Sequence, residues 1–120
     1  MIKFIFCLFF IFSTKSSFAN LAYITNEKDN TVSIIDIKKK IVVNTVEVGQ
    51  RPRGIIMSKD GKLVLICASD DDRVEVREAK TLKLKYYLPS GPDPELFILS
   101  PDNETLYIAN EDDAMVTVVD

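Results

Sequence analysis

Short apolar runs alternate with polar, turn-forming stretches along the chain after residue 20. The run 63–67 is apolar at every position, which predicts a strand buried on both faces. The run 82–88 alternates instead, with Leu82, Leu84, Tyr86 and Leu88 on one side. Such alternation predicts a strand with one buried and one solvated face. The pattern therefore predicts a chain of β-strands.

The same pattern returns at a fixed offset. Gly49 and Gly91 are 42 positions apart, and so are Pro52 and Pro94. Stacked at this offset, three strand-like segments coincide without a gap, at residues 21–26, 63–68 and 105–110. A period of about 40 to 45 residues built from short strands is typical of β-propeller blades, each a four-stranded antiparallel sheet.

The predicted fold class is therefore all-β, with a 42-residue repeat. Residues 21–49 would supply strands two to four of one blade, residues 53–91 a complete blade, and residues 94–120 the first three strands of the next. The chain would then cover about two and a half blades of an expected seven, too few to close a ring. We expect the N-terminal fragment of a longer protein; the alternatives are an open repeat array and assembly from several chains.

Within the complete blade we place strands at residues 53–57, 62–68, 73–78 and 82–88. Parity pairs residue 76 with 84 and residue 74 with 86, so that the apolar side chains share a face. This register sets Glu75 opposite Lys85 and predicts a cross-strand ion pair between them. Two matching tight turns are predicted, with Gly61 and Asn103 at the position that needs a positive φ.

Residues 1–19 have the pattern of a secretory signal peptide. Lys3 precedes an apolar run at 4–12, and Ser17 and Ala19 place small residues before a cleavage site after Ala19. The alternative is a membrane anchor, but the run is shorter than the ~20 residues of a spanning helix. We therefore expect export, with residues 20–120 forming the partial propeller.

Composition excludes several kinds of site. The chain contains no histidine, which removes the commonest general base and the usual zinc ligand. Loss of residues 1–19 removes two lysines and no acid, so the acidic excess grows, and nucleic-acid binding is not expected. Cys67 is then the only cysteine, and its place in an apolar run indicates a packed thiol.

The predicted loops separate charge by face. One face would carry the acidic loops and the opposite face the lysines Lys38, Lys39, Lys40, Lys59, Lys62 and Lys80. The candidate ligand- or partner-binding residues of the first face, called the acidic face below, are Arg51, Arg53, Asp70, Asp71, Asp72, Asp93, Glu95, Glu111, Asp112 and Asp113. A face of one sign attracts partners of the opposite sign. The alternative interpretation is solvated turn residues.

Two further alternatives concern the same face. Arg51 and Arg53 could bind an acidic ligand, or could pair with Asp93 and Glu95 of the next blade, and we favour the pairing because offset repeats set these loops side by side. Residues 70–72 could in principle bind calcium, but they lack the alternating ligands and glycine of a calcium loop. We therefore predict no metal, no cofactor and no catalytic residue in this chain.

Two motifs resemble known propeller families. Tyr23-Ile24-Thr25-Asn26 and Tyr107-Ile108-Ala109-Asn110 resemble the motif of the YVTN β-propeller repeats, whereas residues 65–68 depart from it. Residues 51–54, 90–97 and 110–113 are similar to the pyrroloquinoline-quinone (PQQ)-dependent catabolism-associated β-propeller proteins.

The second resemblance implies a periplasmic location and an accessory role in PQQ-dependent alcohol oxidation. It further implies a quinoprotein dehydrogenase or a c-type cytochrome as partner. The expected function is a non-enzymatic binding or scaffold protein, since no acid–base pair or metal site converges in the sequence. The alternative is a lactonase-like propeller hydrolase whose active site lies in blades outside this chain.

Overall fold

The computed structural model describes residues 20–120, and the predicted signal peptide lies outside this range. The strands are β1 Leu21–Asn26, β2 Thr31–Asp36, β3 Ile41–Glu47, β4 Pro52–Met57, β5 Leu63–Ala68, β6 Arg73–Glu78, β7 Leu84–Pro89, β8 Pro94–Leu99, β9 Leu106–Asn110 and β10 Met115–Val119. Short 3₁₀ turns follow β1 and β5, at Glu27–Asp29 and Ser69–Asp71. No helix in the described range is long and apolar enough to cross a membrane.

The strands form three antiparallel sheets in chain order. Sheet I has the order β1-β2-β3, sheet II the order β4-β5-β6-β7, and sheet III the order β8-β9-β10. Each sheet is a meander, in which consecutive strands are hydrogen-bonded neighbours. The predicted all-β class is thereby confirmed.

Positive φ angles recur at matching places in the sheets. Gly61 and Asn103 have φ angles of 69° and 70°, which confirms the conformation predicted for the two tight turns. Other residues with positive φ, again 42 positions apart, are Asn30, Asp72 and Ala114, Lys40 and Leu82, and Arg51 and Asp93. Few residue types other than glycine adopt this conformation readily, so its recurrence shows matched loop geometry.

The core consists of two contacts between successive sheets. In each sheet, we call the face towards the following sheet the front face and the other the back face. The first contact buries the front face of sheet I on the back face of sheet II, with Val32, Ile34, Val64, Ile66, Ala79 and Leu82 at its centre. The second buries the front face of sheet II on the back face of sheet III, through Leu65, Cys67, Val74, Val76, Leu106 and Ile108.

The predicted register between β6 and β7 is wrong. Residue 76 pairs with 86 and residue 74 with 88, two positions further along β7 than expected. A bulge between Val76 and Arg77 then sets Arg77 opposite Leu84, on the other face from Tyr86. Leu82 does not belong to the strand: it has a φ of 56° and is fully buried in the contact between sheets I and II. Burial of Leu82 in the turn shortens β7 at its start.

The predicted Glu75–Lys85 ion pair is therefore also wrong. Glu75 lies opposite Tyr87, and its side chain is 2% exposed. It accepts a hydrogen bond of 2.7 Å from Nε of Arg77. The carboxylate thus pairs along its own strand, inside the contact between sheets I and II.

Candidate binding face

The acidic face is formed by the loops at one end of the three sheets. Antiparallel strands place the loops 27–30, 48–51, 69–72, 90–93 and 111–114 at the same end. Backbone hydrogen bonds join neighbouring loops within sheets II and III: Ser69 N–H donates to Arg51 O, and Glu111 N–H donates to Asp93 O at 3.0 Å. The loops therefore form one continuous surface.

Some predicted acidic residues hold this surface together. The Asp72 carboxylate accepts a hydrogen bond from Asp93 N–H at 3.0 Å, as Asn30 does from Arg51 N–H at 2.9 Å. Asp71 accepts from Gln50 N–H at 2.9 Å and pairs with an arginine of β6. These side chains satisfy backbone donors of the neighbouring loop, a role that the sequence analysis missed.

Arg51 and Arg53 connect sheets II and III. Nη2 of Arg51 contacts the carboxylates of Asp93 and, at 3.1 Å, Glu95, while Arg53 contacts Glu95 and, at 3.1 Å, Glu27. The hydrogen bond to Asp93 raises the pKa of Arg51. The pairing that we favoured from the sequence is thus present.

Three carboxylates converge where the two arginines meet sheet III. One oxygen each of Asp93, Glu95 and Glu111 lies within 4.8 Å of the others. Glu111 belongs to the loop after β9, whereas Asp93 and Glu95 lie at the start of β8. Burial raises the pKa of Glu95, the Asp93 charge and a hydrogen bond with Glu111 add to this rise, and Arg53 opposes it. Oxygen ligands of this kind could hold a divalent cation, but Arg51 and Arg53 already occupy two of the three carboxylates.

The other predicted acidic residues make fewer contacts with the rest of the protein. Asp70 is half exposed and has an oxygen 3.1 Å from Nε of Arg51. Asp112 is exposed, and Asp113 accepts a hydrogen bond of 3.1 Å from Met115 N–H at the start of β10. The acidic face therefore has a structured centre at Arg51 and Arg53 and a solvated rim.

The comparisons with known proteins identify the family. A sequence profile described as the cytochrome D1 heme domain matches residues 7–95. The chain therefore belongs to the cytochrome d1 heme domain family. The matched range includes β1 to β7 and the first residues of β8, with Arg51, Arg53, Asp93 and Glu95 inside it.

The solved structures that this chain resembles are β-propellers. Hydrazine synthase of Kuenenia stuttgartiensis has a TM-score of 0.78 at 23% identity, over 84% of this chain and 29% of that one. The dihydro-heme d1 dehydrogenase NirN, in complex with DHE, has a TM-score of 0.70 at 20% identity, over 84% and 22%. A candidate 6-phosphogluconolactonase of Bacteroides fragilis has a TM-score of 0.72 at 24% identity, over 82% and 31%.

These likenesses establish the propeller fold. At such identities the fold is shared, whereas substrates and ligands belong to sites that differ between proteins of one fold. The chain spans less than a third of the length of each of these three structures. Comparison with curated protein sequences gives no match.

Proposed function

We propose that the chain is part of an exported β-propeller that binds a cationic protein partner through its acidic face. The observation that carries the proposal is the surplus of carboxylates around Arg51 and Arg53. Five carboxylates, those of Glu27, Asp70, Asp93, Glu95 and Glu111, lie at or beside these two guanidinium groups. The surplus charge stays available to attract a positive surface.

The architecture supports this proposal. In the proposed architecture, successive 42-residue blades form a ring of seven. Residues 21–49, 53–91 and 94–120 are parts of three of these blades. The arginine–carboxylate pairs hold the loops of neighbouring blades together, so the centre of the acidic face is ordered before a partner arrives. Binding to a rigid charged surface costs less conformational entropy than binding to mobile loops.

The resemblance to PQQ-associated propellers supports a partner class. A quinoprotein dehydrogenase or a basic c-type cytochrome of the periplasm would fit, and the proposed role is accessory to PQQ-dependent alcohol oxidation. This assignment includes the predicted cleavage after Ala19. The contact would be strengthened at low ionic strength, because exposed charges are screened beyond roughly 10 Å at about 0.1 M salt.

Residues 20–120 offer neither a histidine nor an accessible thiol to the heme group of the family. The chain has no histidine to ligate iron, and the Cys67 thiol is fully enclosed between sheets II and III. Arg51 and Arg53, the cations that could bind tetrapyrrole carboxylates, are already paired with protein carboxylates. We therefore assign no heme chemistry to this chain.

One observation favours an enzymatic alternative. Glu95, with its raised pKa, lies beside Asp93 and Glu111, and a carboxyl group with a raised pKa can act as a general acid. A lactonase-like hydrolase built around this cluster is the second candidate. Lactone hydrolysis that Glu95→Gln abolishes, without loss of the fold, would favour it over the binding function.

Charge neutralisation tests the proposed binding face. We expect Glu111→Gln combined with Asp112→Asn to weaken binding to a basic c-type cytochrome several-fold and to flatten the dependence of Kd on NaCl, measured by calorimetry. The matched control is Glu104→Gln combined with Asp120→Asn, which removes the same charge at the opposite end of sheet III. Equal Kd values and salt slopes in both variants would contradict docking on the acidic face.

A further inference from the structure

A cleft opens on sheet II at the end opposite the acidic face. Its volume is about 740 Å³, and its walls come from the tight turn after β4, the turn between β6 and β7, and the start of β7. Lys62, Lys80 and Lys85 line it together with Tyr86. A cleft of this volume is in the range of small-molecule sites, which is roughly 300–1,000 Å³.

Hydrogen bonds hold the walls of the cleft in place. In the tight turn, Asp60 accepts a hydrogen bond of 3.0 Å from Lys62 N–H. In the turn between β6 and β7, the Thr81 hydroxyl donates a bond of 2.7 Å to Glu78. Ala79 N–H donates to the Lys62 carbonyl at 2.9 Å and so joins the two turns. The walls are thus ordered before a ligand binds, which lowers the entropic cost of binding.

Positive charge predominates in the cleft. Its two carboxylates, those of Asp60 and Glu78, already accept hydrogen bonds inside their own turns. The Lys62 ammonium group lies 3.7 Å from Asp60, on a side chain that is 81% exposed. The Lys85 ammonium group pairs with no carboxylate among residues 20–120. Together with Lys80, these lysines place three cations around two engaged acids, an arrangement that attracts an anionic group such as phosphate.

Further lysines lie at the same end of the sheets. Lys38, Lys39 and Lys59, predicted on the face opposite the acidic loops, are exposed on turns of sheets I and II. The corresponding turn of sheet III carries Asp102 and Glu104 instead, so the positive charge is concentrated on the two sheets nearest the cleft. Such a concentration of charge raises the local concentration of anionic ligands.

Tyr86 gives the cleft an apolar wall. Its side chain is 48% exposed, and Leu63 at the start of β5 continues the wall. The corresponding residue of sheet I, Asn44, is also exposed, although the four-stranded sheet II packs on the front face of sheet I. The same is true of Lys38, which corresponds to Lys80. Exposure at these positions therefore accompanies a complete following sheet, and the cleft does not depend on an uncovered sheet face.

We propose that this cleft binds a small ring compound that carries a phosphate group. The phosphate lies among the ammonium groups of Lys62, Lys80 and Lys85, which act as point charges. The ring packs against Tyr86, since aromatic faces stack with an offset on flat rings. The inference goes beyond the proposed function and does not depend on it, because the cleft and the acidic face lie at opposite ends of the sheets.

Three probes separate the contribution of the phosphate from that of the ring. We expect phenyl phosphate to bind the purified protein, with NMR chemical-shift changes concentrated at the cleft residues. Inorganic phosphate should bind more weakly because it lacks the ring. Phenol should show no binding at the same concentrations because it lacks the charge. Added NaCl should weaken the binding of both phosphates, since it screens the exposed lysines.

Two double variants with the same net charge test the position of the site. We expect Lys62→Gln combined with Lys85→Gln to raise the Kd for phenyl phosphate more than about fivefold, because two charges beside the phosphate are lost. The matched control is Lys38→Gln combined with Lys59→Gln, exposed lysines at the same end but outside the cleft. Its Kd should change less than about twofold, because salt screens distant exposed charges.

A single variant tests the contact with the ring. Tyr86→Leu should weaken the binding of phenyl phosphate and leave that of inorganic phosphate unchanged. All the substituted residues are exposed, and circular dichroism of each variant checks that its strands persist. Equal losses in the two double variants would overturn the cleft as a site and assign binding to the diffuse charge of the lysines. Absence of phenyl phosphate binding at low salt would overturn it as well.

Discussion

Glu75 and Arg77 carry opposite charges into the apolar contact between sheets I and II. Glu75 is 2% exposed, and Arg77 bonds both its carboxylate and, at 2.8 Å, the Leu82 carbonyl. Each charge is thus compensated within the protein, and the pair fixes the turn that buries Leu82. At the scale of single residues, burial and pairing separate these structural charges from the exposed acids of the rim.

Removal of Glu75 should be costly. We expect Glu75→Ala to lower the free energy of unfolding by about 3–5 kcal/mol, because Arg77 would remain buried without its partner. Urea denaturation followed by circular dichroism measures the change. Glu75→Leu combined with Arg77→Leu should cost less than the single substitution, and exposed Glu104→Ala should stay within about 0.5 kcal/mol. A larger loss in the double variant would contradict a compensated pair.

The Cys67 thiol should be unreactive while the protein is folded. It is fully buried, and burial raises its pKa to about 12, with the nearby Glu95 charge adding to the rise. At a pH of about 8 it is therefore protonated and enclosed, and the thiolate is the reactive form. In a Cys7→Ser background we expect negligible labelling by a disulfide reagent until denaturant is added. Stoichiometric labelling before unfolding would contradict the enclosed site.

The two tight turns show how an element repeats its chemistry with different residues. Ser58 donates its hydroxyl hydrogen to Asp60 and accepts Leu63 N–H at 3.0 Å; Ser100 does the same with Asp102 and with Thr105 N–H at 2.9 Å. Serine and aspartate thus satisfy the backbone of both turns, whether glycine or asparagine takes the positive φ. Sequence alone indicates these turns because all of their hydrogen bonds are local.

These turns should make stability sensitive to acid. Hydrogen bonds from Ser58 and Ser100 lower the pKa of Asp60 and Asp102 below 3.8. A carboxyl group with a lowered folded pKa stabilises the protein above its unfolded pKa, and that contribution is lost as the pH falls through the folded value. We expect Asp60→Asn combined with Asp102→Asn to flatten the decline of the urea midpoint below a pH of about 3.8. An unchanged slope would assign the acid sensitivity to other groups.

Across the whole molecule, β4 and β8, the first strands of sheets II and III, set how closely the two sheets approach. Gly54 on β4 faces the backbone of β8, and a Cβ at this position would lie 2.8 Å from the Glu95 carbonyl oxygen. The same approach brings Arg51 and Arg53 to Asp93, Glu95 and their neighbours. The spacing of the sheets and the geometry of the acidic face therefore depend on one small residue.

A side-chain atom added at position 54 should push β4 and β8 apart and loosen the contact between sheets II and III. We expect Gly54→Ala to destabilise the protein by about 1–3 kcal/mol, because the atoms in its way belong to the backbone. The Cys67 thiol, 3.5 Å from the added Cβ, should then react faster with a thiol reagent. Gly61→Ala is the control: its Cβ would meet only Met57 Sδ at 3.8 Å, so it strains a turn and leaves Cys67 enclosed. Equal rates of Cys67 labelling in Gly54→Ala and in the unchanged chain would contradict this role of Gly54.

The candidate site could be predicted only in part. The offset between the loops led to the pairing of Arg51 and Arg53 with Asp93 and Glu95, because matched loops of adjacent sheets lie side by side. The role of Asp72 in holding the next loop and the approach of Glu111 to Glu95 were missed. Both depend on which backbone donors are left unsatisfied between sheets, and a sequence does not show this.

By itself, the sequence determined the strands, their antiparallel order, the tight turns and the placing of acidic loops at one end. These features follow from local alternation, turn chemistry and a fixed spacing. Only the tertiary structure decided the register of β7, the burial of Leu82 and the pairing of Glu75 with Arg77. A bulge of one residue changes which side chains share a face, and packing against sheet I selects the arrangement that buries Leu82 and compensates both charges.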